Sequence, residues 1–307
     1  MSMSTITALI PTCNEEINLH DCLASLRGWV DEIFVVDSFS TDRTCEIARA
    51  AGARVVQHEY RGPAEQKNWA LDNLPIKSDW ILILDADERV GAELRDEILG
   101  LVASNPDYQG FHLNRLFIFY GRPIRHCGWY PSWVLRLFRR GVARYENRAV
   151  HEHMLVSGPV GFCRADLLHE DRRDLTHWID KHNRYSSLEA SEMMRARTGE
   201  SRTALRLHGP LAFKRLIKER LWPYLPGRAL IYFLYLYVVR LGFLDGVAGW
   251  RFCLMHASVE FWTSMKYWEL RNWKDQAPPG AIAVPRYFVP DSPQSQQADE
   301  GGSRCAV

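Results

Sequence analysis

The chain has 307 residues, enough for one large domain with appendages or two modest ones, and for a sizeable buried core. Its 38 Lys and Arg nearly equal its 37 Asp and Glu, which excludes a global basic field of the kind that holds nucleic acid, so any electrostatic attraction is local. The seven cysteines are odd in number, scattered and without C-x-x-C spacing, a pattern that argues against a zinc site or disulfide framework and for free thiols in a reducing compartment. Residues 1–5 run straight into a strand pattern with no signal-peptide architecture, so a cytoplasmic location is expected.

Taken in chain order, short apolar runs alternate with helix-like segments through the first hundred residues, the pattern of a mostly parallel sheet with crossover helices. Strands are predicted at 7–10, 32–37, 54–58 and 80–85, and helices at 16–26, 42–51 and 64–74. Ser40 and Thr41 are candidate caps for the second helix and Gly52 closes it. A helix at 92–102 and strands at 110–116 and 133–138 follow, separated by Arg- and aromatic-rich sequence at 121–130. The pattern turns helical from 176 to 196, the segment 201–228 is locally basic, and from about residue 277 the Pro, Gly, Ser and Gln content predicts a disordered tail. There is no internal repeat.

The apolar run at 229–239 is eleven residues long, short of the ~20 that a helix needs to cross a bilayer. In residues 247–270, Trp250, Leu254, Phe261, Met265 and Trp268 recur at helical spacing, an apolar stripe opposite the polar residues Arg251, His256, Glu260 and Lys266. Such a stripe either packs on the catalytic domain or lies in a membrane interface, with the preceding basic segment against anionic lipid. Peripheral contact with the inner face of the cell membrane is therefore an expectation that stands beside core packing.

The most informative stretch is Ile81-Leu82-Ile83-Leu84-Asp85-Ala86-Asp87-Glu88. Alternation along a strand points Asp85 and Asp87 the same way at its carboxyl edge, where open α/β sheets place ligands. Two hard oxygen donors there suit Mg²⁺ or Mn²⁺ with positions open for substrate phosphates, which makes a nucleoside diphosphate the natural guest. An isolated Asp-x-Asp also fits a solvated acidic turn, and its surroundings decide between the two.

Those surroundings are Ala8-Leu9-Ile10-Pro11-Thr12-Cys13-Asn14-Glu15-Glu16 and Val35-Val36-Asp37-Ser38-Phe39-Ser40-Thr41-Asp42-Arg43-Thr44, ahead of Leu84-Asp85-Ala86-Asp87. Together the three motifs resemble the family 2 glycosyltransferases of GT-A fold. Tyr145-Glu146-Asn147-Arg148-Ala149-Val150-His151-Glu152, Lys181-His182-Asn183-Arg184-Tyr185 and Gly242-Phe243-Leu244-Asp245-Gly246 extend the likeness to the bacterial branch with lipopolysaccharide core β-1,4-glucosyltransferases. The resemblance implies a nucleotide-diphospho-sugar transferase fold, Rossmann-like, with a mixed, mostly parallel sheet and a C-terminal helical extension. Residues 1–170 would form the catalytic domain, with 1–90 the nucleotide-sugar half and 91–170 the acceptor half. Residues 171–276 would be the helical extension and 277–307 the tail.

By the same resemblance, Pro11, Thr12, Asn14, Glu15, Asp37, Ser38 and Asp42 lie at the base and ribose, and Lys67, Asp85 and Ala86 near the diphosphate or sugar. Carboxylates such as Glu15 and Asp37 can accept from a uracil N–H or ribose hydroxyls. Asn14-Glu15-Glu16 also fits a helix cap, Asp42 a first-turn helix residue and Lys67 an exposed helix lysine. Where the commoner family form has Gly after the Asp of the second motif, this chain has Ser38 and then Phe39. Mn²⁺ or Mg²⁺ would sit at Asp85 and Asp87, with His169 completing the shell.

Inverting transfer needs a base opposite the leaving phosphate, and Glu152 in Val150-His151-Glu152-His153 is the choice, with Glu170 and Asp171 as runners-up. His151 and His153 lack the helical H-E-x-x-H pattern of a zinc site. Arg122, Arg125, His126, Trp129, Tyr130 and Trp133 form a candidate acceptor wall, since aromatic faces stack on sugars and arginines bind phosphates or acidic sugars. The implied reaction moves a hexose, glucose from UDP-glucose in the first instance, to a glycan or lipid-linked glycan of the cell envelope. Two alternatives stand beside it: a nucleotidyltransferase acting on sugar phosphates, and a non-catalytic membrane-associated scaffold. A dinucleotide oxidoreductase is disfavoured, because Pro-Thr-Cys-Asn-Glu replaces G-x-G-x-x-G after the first strand.

Overall fold

The computed structural model describes residues 4–104, 106–146, 154–198, 222, 225 and 227–273. They fall into two compact units, residues 4–125 with 129–173, and residues 126–128 with 174–273.

The first unit is built on a mixed sheet. Its early strands are β1 (Ile6–Thr12), β2 (Glu32–Asp37), β3 (Arg54–Gln57) and β4 (Trp80–Ile83), joined through α1 (Leu19–Leu26), α2 (Thr44–Ala50) and α3 (Pro63–Asn73). All four pair in parallel, in the order β3-β2-β1-β4. The chain continues through β5 (Glu88–Val90), α4 (Ala92–Ser104), β6 (Gly110–Phe119), β7 (Arg122–Ile124), β8 (Trp133–Arg139) and β11 (Val160–His169), with the hairpin strands β9 (Ala143–Tyr145) and β10 (Met154–Val156) between the last two. The sheet extends from β4 through β8, β6 and β11 to β5, and β7 pairs with β6. This is the expected class, α/β with a mixed sheet.

The early strands are near-continuous apolar runs because helices cover both faces. Ala8, Ile10 and Leu82 meet Leu19, Leu23 and Leu26 of α1 and Leu94 and Ile98 of α4, whereas Leu9, Val36, Ile81 and Ile83 meet Ala64 and Ala70 of α3. The parallel register puts Thr12 beside Asp37 at the carboxyl edge. β5 returns antiparallel to β11, which aligns His169 with Glu88. That pairing brings the end of β11 to the acidic turn.

The second unit comprises α5 (Leu175–Thr198), α6 (Arg228–Leu234) running into a π-helical turn at Tyr235–Val239, a 3-10 turn at Gly242–Asp245, and α7 (Gly246–Asn272). Lys266 of α7 is tied to α5 by the Asn183 side chain at 2.6 Å and by the Ser186 and Ser187 hydroxyls at 2.8 Å each. The segments on either side of residues 240–241 bend by 73°. Gly249 permits that packing, since a Cβ there would lie 2.1 Å from the Gly242 carbonyl oxygen. Among the described residues no single helix is long and apolar enough to cross a membrane.

Cys22, Cys45, Cys127, Cys163 and Cys253 are free thiols. The basic segment and the tail from 277 fall almost wholly outside the described residues.

Candidate functional site

The loops after β1 and β2 are fastened to each other by side chains. Asn14 accepts the Thr41 N–H at 2.8 Å and gives its own N–H to the Ser40 hydroxyl at 2.8 Å, while the Glu15 N–H reaches the Thr44 hydroxyl at 2.8 Å. The Glu16 N–H bonds Asp42 at 3.1 Å, and Glu16 in turn accepts the Arg43 N–H at 3.1 Å. The cap position of the second helix is Arg43, not Ser40 or Thr41, and Asp42 before it accepts the Thr44 N–H at 2.9 Å. Ser40 is instead drawn to Asp37.

Asp37 is wholly buried, and its carboxylate takes bonds from Thr12 at 3.1 Å, from the Ser40 hydroxyl and from the Ser40 N–H at 2.9 Å. A ribose reaching it would have to displace one of these. Ser38 donates its N–H to Thr12 and its hydroxyl accepts from Gln66. Pro11 and Thr12 end β1 in the same layer. Phe39, where the family form prefers Gly nearby, adopts φ +55° with its ring half exposed, a left-handed conformation costly for an aromatic residue.

The acidic turn differs from the sequence expectation in one respect. β4 ends at Ile83, and Asp85 and Glu88 close a turn in which the Glu88 N–H bonds the Asp85 carbonyl and the Asp85 N–H bonds the Glu88 carboxylate, both at 2.9 Å. Strand alternation therefore does not govern the two aspartates. Asp85 faces Arg136, with Lys67 Nζ 3.6 Å from its other oxygen, whereas Asp87 faces His169 Nε2 at 3.1 Å. Ala86 is buried between them.

Lys67 is 7% exposed and also lies over the Tyr145 ring at 5.0 Å, so it is not an exposed helix lysine. Arg136 binds the wholly buried Glu88 at 2.7 Å as well, and Arg115 lies 3.9 Å from Glu88. Burial alone would raise Asp85, but the charges of Arg136, Lys67 and Arg115 outweigh it and hold its carboxyl well below the usual range. For Glu88 burial prevails and the pKa rises. Burial would depress His169, yet the facing carboxylates Asp87 and Glu88 raise it.

A second cluster joins the first motif to the segment after β11. Glu15 accepts from Asn18 at 2.8 Å and Arg173 at 3.0 Å, and burial lifts its carboxyl to about 7 against their pull. Asp171 is partly buried, which would raise it, but Arg173 and Asn18 hold it below the ordinary carboxylate range. Glu170 is bound by Arg89 and Arg172. Asp171 is thereby a weak base, and the Glu170 carboxylate is engaged by two arginines. Glu152, with His151 and His153, lies outside the described residues.

The acceptor-wall residues have different partners. Tyr130 and Arg125 converge on Asp166 at 3.1 and 3.5 Å, Trp129 packs on Phe117, which packs on His169, and Trp133 packs on Phe162. His126 belongs to the second unit, where Asp245 holds both its ring and its N–H at 2.8 Å. Arg122 is exposed on β7.

Sequence reasoning missed Asn18, Glu88, Arg115, Arg136 and Arg173. Arg136 carried a signal, because an arginine inside the apolar strand Trp-Val-Leu-Arg-Leu-Phe requires a buried partner. Asp87 and His169 fit a divalent ion: cis ligands at ~2.1 Å in an octahedral shell lie about 3.0 Å apart, close to the separation seen. Among the described residues no third His, Cys, Asp or Glu joins them, so the remaining positions would be left to phosphate and water.

The family model for glycosyl transferase family 2 matches residues 7–165. The lipopolysaccharide core biosynthesis glycosyltransferase LpsC of Rhizobium meliloti is 33% identical over 231 residues, 71% of this chain and 82% of that protein. An uncharacterized glycosyltransferase of Rickettsia felis is 31% identical over 63% of this chain and 71% of its own length. Among solved structures, glucosyl-3-phosphoglycerate synthase of Mycobacterium tuberculosis, in complex with Mn²⁺, UDP and glucosyl-3-phosphoglycerate, is 26% identical with a TM-score of 0.32. That match covers 37% of this chain and less than half of the synthase, 44%, too little to bear on the site. The family model over residues 7–165, more than half of the chain, joined to a relative matched over most of both lengths, makes the conclusion plain: the chain belongs to glycosyl transferase family 2.

Proposed function

We propose that this glycosyltransferase inverts configuration as it moves a hexose, glucose from UDP-glucose in the first instance, to a hydroxyl of an envelope glycan of the lipopolysaccharide-core kind. The observation that carries the reading is the meeting of Asp87 and His169 across 3.1 Å beside Asp85 at the sheet's carboxyl edge. A lone pair on Nε2 and a carboxylate oxygen at that distance repel unless a proton or a cation lies between them. Asp87 and His169 would hold Mn²⁺ or Mg²⁺, with Asp85 in the same turn joining them only if it turns from Arg136 and Lys67 toward the ion. When bound, the ion would neutralise charge on the departing diphosphate.

The chain's own groups divide the remaining work. Lys67, buried beside Asp85, supplies a fixed positive charge toward the phosphates, and Arg136 keeps Asp85 ionised. The fastened loops of Asn14, Glu15, Asp37 and Asp42 frame the base and ribose, with Thr12 and Ser38 beneath. Glu152 takes the acceptor proton as the hydroxyl attacks the anomeric carbon. The lipopolysaccharide-core role named for LpsC supports the acceptor class.

The test of the base is Glu152→Gln, assayed for turnover and, by calorimetry, for UDP binding. Turnover should fall at least a hundredfold while UDP affinity changes less than threefold. Equal losses in both would refute the base assignment.

A further inference from the structure

The second unit carries an apolar surface that faces solvent. On α7, Val247, Trp250, Leu254, Phe261, Met265 and Trp268 are all exposed, Val247 by 66%. At 100° per residue they fall within a 60° arc, so the exposed side chains form one stripe along the whole helix. The buried residues Gly249, Phe252, Cys253 and Tyr267 lie on other faces, and Lys266 is fastened to α5. The stripe predicted from sequence therefore points outward. The bend before α7 continues it, with Val238, Val239, Leu241, Phe243 and Leu244 exposed, Val239 by 66%. A contiguous patch of this kind on a soluble surface marks a partner.

Charge identifies the partner. At the bend and along the first half of α7, residues 228–259, the one acidic side chain is Asp245, turned inward on His126 at 2.8 Å; farther along, Glu260 is paired with Arg228 at 3.2 Å and Glu269 lies at the far end of the helix. Arg240 and Arg251 are exposed at the patch, Arg251 flanking the stripe and not opposite it as the sequence pattern suggested, and neither forms an ion pair among the described residues. A second copy of the chain would set these arginines against their own counterparts, a like-charge juxtaposition that costs binding, whereas an anionic lipid surface complements them. Tyr235, Trp250 and Trp268 add amphipathic rings suited to the headgroup level.

We propose that α7 and the bend at residues 238–247 form a wedge that lies in one leaflet of an anionic bilayer without crossing it. Residues 228–239 reach roughly 18 Å as a helix, short of the ~30 Å hydrocarbon core. α7 has the length but presents a single apolar face while its opposite face packs within the unit, the arrangement of an in-plane helix. The wedge gives the proposed envelope acceptor a surface on which to be met. It stands on the exposed patch alone, so it survives if the sugar-transfer reading fails.

The test is flotation of the full chain with vesicles of phosphatidylcholine alone or with one quarter phosphatidylglycerol, without nucleotide sugar. Wild type and Asp87→Ala should float equally with the anionic vesicles. Leu244→Glu combined with Val247→Glu should lose at least tenfold in partitioning while keeping the wild-type circular-dichroism melt. Arg240→Gln with Arg251→Gln should lose roughly fivefold per charge on anionic vesicles only. Failure of wild type to float on either lipid, or flotation of the Glu variant at the wild-type level, would overturn the proposal. So would a dimer in light scattering that the Glu variant dissolves and that binds no vesicles, since the patch would then be closed by a second copy.

Discussion

At Glu15 a carboxyl that the motif alone places at a nucleotide is also a buried group shared by Asn18 and Arg173. Its pKa rises from 4.5 to about 7 because burial outweighs those two partners. A raised carboxyl contributes stability that is full below about 4.5 and is lost as pH climbs through about 7, since the folded form holds its proton longer than the unfolded chain. Glu15→Gln should flatten that dependence. In urea melts the variant should match wild type near pH 4.5 and exceed it at pH 8 by a margin on the order of 3 kcal/mol. A constant difference across the range would show that Glu15 stays ionised. The first motif was legible as a motif, but burial of its carboxylate against Arg173, 158 residues away, was not, because the sequence does not display which loop returns to cover it.

β8 shows how an element pins the site. Arg136 projects from a strand whose neighbours are apolar and spans Asp85 and Glu88, so the acidic turn is held from beneath, and the Arg136–Glu88 pair has almost no access to water. Removing one partner of such a pair leaves an uncompensated buried charge. Arg136→Met should cost about 3–5 kcal/mol in urea unfolding, and adding Glu88→Gln should recover part of it. A loss under 1 kcal/mol would mean the pair is solvated. The strands at 32–37 and from 80 were legible because residues apolar on both faces and bounded by polar turns leave few other solutions, although the second ends at Ile83, two residues before the predicted 85. The meeting of Asp87 with His169 was not, since it depends on β5 turning back antiparallel along β11. The stripe on α7 was visible as a period, yet a period does not say whether a face looks inward or outward.

For the whole molecule, near-neutral charge hides a strong local division: an acidic turn ringed by Lys67, Arg115 and Arg136 in one unit, and an apolar surface edged by arginines in the other. The family and the sheet were legible from three motifs in order, whereas the donor sugar and acceptor rest on few contacts in the later part of the chain, where sites are grafted on the fold. The reading of the first unit as a metal-assisted donor site turns on Asp87. It is tested most directly by following nucleoside-diphosphate release from UDP-, GDP- and TDP-sugars with Mn²⁺, Mg²⁺ or EDTA, for wild type and Asp87→Ala. Release from one donor that requires the ion and falls by at least three orders of magnitude in a folded Asp87→Ala is the expected result, and wild-type release by that variant, or release undiminished in EDTA, would contradict it.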